Sequence, residues 1–181
     1  MKKVIAILVP VLFILSCKNV EQYRAPIEAL SADWEKATTA VTEVGGMIGA
    51  TQTSLATMKD SFMLDPVKAA KLSPQLTDSL NSLKLAFTTQ VDGLMSLASD
   101  VTTFAGSWQV MSGKLAALKD GLASGKLDGD VMSQVNELKN AAMNAVSKAE
   151  TWKAKLTAAK TTAMAAHDMY MQMKWKMMSS K

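Results

Sequence analysis

The chain has 181 residues, of which 49% are hydrophobic and 20% charged, and its formal net charge is +4. That length suits one domain, so small a charge argues against nucleic acid as a partner, and a single cysteine excludes an internal disulfide. Only four prolines and nine glycines occur, among many alanines, leucines, lysines and methionines, a balance that favours helices over strands.

Met1-Lys2-Lys3 is followed by an apolar run from Val4 to Leu15. As a helix this run would reach only ~18 Å, short of the ~30 Å of a hydrocarbon core, and Pro10 interrupts it. Two positive charges before a short apolar segment make a secretory signal rather than a membrane span. The stretch Ile14-Leu15-Ser16-Cys17 resembles the lipobox of bacterial lipoproteins. The resemblance implies cleavage between Ser16 and Cys17, a diacylglyceryl thioether on the Cys17 sulfur and an acylated new amine. Residues 1–16 are then a signal peptide and 17–25 a lipidated linker. Acyl chains bury methylenes at ~0.8 kcal/mol each, which gives stable anchoring. Lys18 stands where the proteobacterial members place an inner-membrane retention aspartate. The resemblance therefore implies an outer-membrane lipoprotein of a Gram-negative-type envelope, facing the periplasm.

Beyond the linker, stepping by alternating threes and fours traces three apolar stripes. The first runs from Ile27 through Leu30, Trp34 and Ala37 to Phe62, the second from Leu76 through Leu80, Leu83 and Phe87 to Leu122, and the third from Val131 through Val135, Leu138 and Ala142 to Met177. Only Thr51 and Gln90 break them. Sustained a/d repeats of this length predict helices that wind around one another. Asp65-Pro66 is read as the end of the first helix, because proline biases its predecessor away from helical geometry. Ser73-Pro74 starts the second, with serine as N-cap and proline at the first helical position. Ser124-Gly125 ends it, and Asp128 or Asp130 caps the third. The expected fold is all-α: an elongated up-down-up three-helix antiparallel coiled-coil bundle over 26–181, with helices at about 26–64, 74–123 and 129–178. A second helix of fifty residues would be ~75 Å long.

Folding each connection as a tight hairpin fixes an expected register. Around the second turn Leu122 meets Val131, so Phe104 faces Ala149 and Phe87 faces Ala166, large against small. Around the first turn Gly45 falls opposite Gly93, where two backbones would approach closely, and Gln90 falls one layer from Thr51, where an amide and a hydroxyl would pair. The same register puts the anchored start of the first helix beside the 123–130 turn, with 65–74 and the C-terminal tail at the far end. The first helix carries two lysines and five acids between Ile27 and Phe62; from Val131 onward there are eight lysines and three acids.

Chemistry is sparse. One histidine, no glycine-rich phosphate loop and no carboxylate-x-x-histidine pair argue against an enzyme. Six of the fourteen methionines fall from Met164 onward, beside the sole histidine. His167, Met169, Met171 and Met173 are soft donors that suit Cu(I) or Ag(I), and they resemble the methionine-histidine-tryptophan sites of periplasmic copper and silver chaperones. Those sites hold their ligands on strands, whereas a helix would scatter this spacing. Tyr170, Met173 and Met177 alternatively continue the core stripe, and Lys174, Trp175 and Lys176 make an amphipathic tip. A lipid anchor, a helical bundle and the terminal Lys181 resemble murein lipoprotein in architecture. The leading expectation is a non-enzymatic lipid-anchored spacer, tether or adaptor with no cofactor beyond the Cys17 lipid. Its partners are the membrane and another envelope protein or peptidoglycan, met through Asp65, Pro66, Lys174, Trp175, Lys176 and Lys181; self-association is compatible with the same pattern. Alternatives are a soft-metal-binding lipoprotein and a helical bundle that binds lipids or other hydrophobic ligands.

Overall fold

A computed structural model of the chain describes residues 20–179. The signal segment, Ser16, Cys17 and Lys181 lie outside the described residues. Those described are helical throughout their regular structure, with no strand among them. They form α1 (Arg24–Lys59), a 310 turn (Asp60–Phe62), α2 (Pro66–Ala69), α3 (Pro74–Ser124) and α4 (Val131–Ser179). No helix among them is long and apolar enough to cross a membrane.

The core follows the three stripes. Every buried residue among those described lies on one of them, and no stripe position is exposed. Among the described residues Thr51 is the single buried polar one, and Gln90 is half-buried. The helices are held by this periodic burial.

The ends obey local chemistry. Asp130 Oδ1 accepts from the Ser133 amide at 3.0 Å and so caps α4, while the Asp128 carbonyl accepts from Gln134 Nε2. At the end of α3, Lys126 N–H bonds back to Gly121 O at 2.8 Å and Gly125 N–H to Leu122 O, with Gly125 at φ 71°. This paired closure needs the left-handed residue that glycine supplies. It folds the chain so tightly that a Cβ on Gly121 would sit 2.6 Å from Lys126 O.

The first connection departs from expectation. Asp65-Pro66 does not only stop a helix. Asp65 Oδ1 accepts from the Val67 amide at 2.8 Å with Pro66 in the first turn, so the pair starts α2. The dipeptide is an N-cap and N1 proline like Ser73-Pro74, and the described residues hold four α-helices where three were expected.

The described residues divide into two compact units. The first joins 20–39 with 105–146. In it Trp34 stacks on Trp108, with ring centroids 3.7 Å apart and planes 7° from parallel. As α1 advances from Trp34 to Thr38, its hydrogen-bonded partner on α3 steps back from Ser112 to Trp108. On the other side of α3, Lys114 pairs with Glu137 of α4 at 2.8 Å.

The second unit joins 40–104 with 147–179. Phe104 meets Trp152 edge-on at 5.3 Å, three residues from the expected Ala149. The α1–α3 register differs more. Gly45 lies against Val101, eight residues beyond Gly93, and nothing approaches the Cβ positions of Gly46, Gly49 or Gly93 within 4 Å. No hydrogen bond joins Gln90 to Thr51. The cause is the first connection: α2 and its flanks occupy space beside the start of α3, so Phe62 in the 310 turn packs on Phe87 rather than near Leu76. One exposed ion pair, Lys153–Glu43 at 3.6 Å, joins the acidic and basic helices here, a contact that adds little.

Candidate functional site

The 310 turn that continues α1, with Met63 after it, leaves carbonyls that have no helical partner. No glycine stands there to make a local cap. Side chains of α4 do it instead. Lys174 Nζ donates to Ser61 O at 2.9 Å and to Met63 O at 2.8 Å. The Tyr170 hydroxyl donates to the carbonyl between them, Phe62 O, at 2.8 Å. A cation at a helix C-terminus also complements the macrodipole. Tyr170 is buried and its ring packs on Phe62 at 4.6 Å, and burial pushes its phenol above the ordinary pKa.

His167 belongs to the same junction. Its Nε2 lies 2.9 Å from Ser61 Oγ and its Nδ1 3.3 Å from Asp168 Oδ1. The Ser61 hydroxyl donates to Met58 O and lies within hydrogen-bond reach of the imidazole. The imidazole also meets the Phe62 ring edge-on at 5.7 Å.

The expected soft-metal donors are not brought together. Successive i, i+2 positions on α4 turn by about 200°. His167 therefore faces α1, while Met169 and Met173 turn toward α3 and line a groove with Ser79 and Leu83. Met171 stands apart, with 37% of its surface exposed. Among the described residues no cluster of three or more histidine, cysteine, aspartate or glutamate side chains has metal-binding geometry.

The expected contact residues are brought together in part. Asp65 and Lys174, distant in sequence, line one cleft of about 580 Å³. Its apolar wall comes from Met63 and Leu64 after α1, Leu72 and Leu76 around the start of α3, and Met177 and Met178 on α4. Three lysines, Lys68, Lys71 and Lys174, also line it, against the one acid. Pro66 starts the helix on its edge. Trp175 is 69% exposed on α4, and Lys176 sits in the separate groove with Met169. Met63 and Val67 add exposed apolar surface, at 69% and 67%.

Sequence reading placed the loop Asp65–Pro74 in the contact region without singling out Lys68, Lys71 and Leu72, and it missed Ser61 and Leu64. A signal was available: Leu64 and Leu72 are apolar residues within a connection, where only an additional packed surface would hold them.

No protein-family model, curated protein or solved structure matches this chain, so its function must be read from its own residues.

Proposed function

We propose that the chain is a non-enzymatic lipoprotein of a bacterial cell envelope, anchored through a lipid on Cys17. Its long helices fold as an elongated up-down-up three-helix bundle that acts as a spacer or adaptor. The observation that carries this reading is the confinement of the fully buried residues, among those described, to the three stripes. The interior is spent on helix packing, and the mixed apolar and cationic surface gathers where the first connection meets the end of α4. The lipobox-like Ile14-Leu15-Ser16-Cys17 supports the anchor. The α1–α3 and α3–α4 contacts described within each unit support the alternating helix direction.

In this reading the contact end comprises Asp65, Pro66, Lys174, Trp175 and Lys176, and the partner is another envelope protein or peptidoglycan. Metabolic labelling with an alkynyl fatty acid tests the anchor: the chain takes label and Cys17→Ser abolishes it. Labelling that survives Cys17→Ser removes the anchor. Small-angle scattering tests the bundle, with a compact, near-spherical profile as the result that rejects it. Photocrosslinking in cells from position 175, compared with exposed Val110, tests the contact end. A product specific to position 175 is expected, and equal yields at both positions count against it.

A further inference from the structure

The 580 Å³ cleft carries an inference beyond the spacer reading and independent of it. We propose that it binds one long-chain aliphatic carboxylate, with the chain against the methionine and leucine wall and the headgroup among Lys68, Lys71 and Lys174.

Three observations combine. The volume lies in the range of small-molecule sites, which are apolar with a few convergent polar groups. The wall is built from three separate elements, and three of its seven apolar side chains are methionines. Unbranched thioethers adapt to an aliphatic chain without a fixed shape. The positive charge is only partly compensated, three lysines against one carboxylate. Lys68 and Lys71 enter no ion pair among the described residues, and Lys174 donates only to neutral carbonyls. Asp65, the one acid in the lining, spends an oxygen on the Val67 amide that begins α2. Lysine stems can lie along apolar surface while their ammonium groups reach a carboxylate. A carboxylate with one flexible chain matches both features, whereas a cationic amphiphile would place like charge against the lysines.

The full chain is titrated by calorimetry with palmitate below its aggregation concentration. The comparison ligands are hexadecyltrimethylammonium, octanoate and vesicles of dioleoyl phosphatidylglycerol. Saturation at one palmitate per chain is expected, with octanoate at least tenfold weaker because its chain is shorter. The double variant Lys68→Glu, Lys71→Glu changes exposed side chains, and circular dichroism checks its helicity. It should weaken palmitate at least tenfold and strengthen the cationic amphiphile. Leu72→Glu, which changes the wall, should also weaken palmitate. No saturable palmitate binding overturns the proposal. So does equal affinity for the two headgroups, or an affinity unchanged by charge reversal. Binding to vesicles without binding of monomeric palmitate overturns it in favour of a membrane surface. Labelling at Cys17 has no bearing on any of these outcomes, so the two readings fail separately.

Discussion

Two aromatic clusters, one in each unit, solve the same packing problem differently. In the first unit Trp34 and Trp108 stack in parallel, and each indole N–H donates at 3.0 Å to a hydroxyl on the opposite helix, Ser112 Oγ and Thr38 Oγ1 respectively. Each hydroxyl then donates to the tryptophan carbonyl one turn earlier in its own helix: Ser112 to Trp108 O and Thr38 to Trp34 O. The circuit closes on itself between two continuous helices. In the second unit Phe62, Phe87 and Tyr170 pack at tilted angles where α1 stops. There the polar atoms needing partners are backbone carbonyls, so α4 supplies a phenol and an ammonium. Packing in mid-helix can be self-sufficient. At a helix end it draws in charged side chains and leaves a lined cleft beside them.

The comparison can be broken at several points. Trp108→Ala should have the largest effect, a loss of ~3–5 kcal/mol for a buried aromatic, measured by urea unfolding; a loss below 1 kcal/mol would mean that the stack carries little. Next comes Tyr170→Phe. It leaves Phe62 O without its donor and should cost ~1–3 kcal/mol. The same variant has a pH signature. Burial raises the Tyr170 pKa, so the folded chain keeps the phenolic proton after the unfolded chain has lost its own. The stabilisation is therefore complete below about pH 10 and declines as pH rises further. The urea midpoint should fall more steeply between pH 9 and 11 in the parent than in Tyr170→Phe; parallel curves would contradict the burial argument. Lys174→Met keeps the aliphatic reach and removes the ammonium, for an expected ~1 kcal/mol. Hydrogen exchange should report it as faster amide exchange near residues 59–63 than elsewhere. Smallest of all, Glu43→Gln breaks an exposed ion pair and should move stability by less than ~1 kcal/mol. A larger shift would show that charge sorting between α1 and α4 matters more than exposure suggests.

Much of this was legible in the sequence. The stripes identify each buried position because a 3.5-residue repeat has one interpretation over so many turns. The α3–α4 register was also within reach: Lys114 meets Glu137 and Phe104 meets Trp152, close to the tight-hairpin expectation. The α1–α3 register was not, since it depends on what residues 63–73 do with their length. Proline after aspartate serves equally as a stop and as a first helical residue, and local propensity does not choose between them. The expected glycine contact and the Gln90–Thr51 pair inherited that error. The tryptophan circuit does leave a trace in the sequence: Trp34 and Thr38, like Trp108 and Ser112, stand one helical turn apart. In the tail, helical spacing alone foretold that His167 and the methionines would face different ways, while the capping role of Lys174 needed the end of α1 to be located in space.

The face-to-face indoles have an optical consequence. Chromophores this close share their excited states, so loss of the stack should change the ultraviolet circular dichroism more than loss of exposed Trp175 does. That signal would act as a local gauge, reporting separation of the two helices at this level even while the amide bands still register an intact coil.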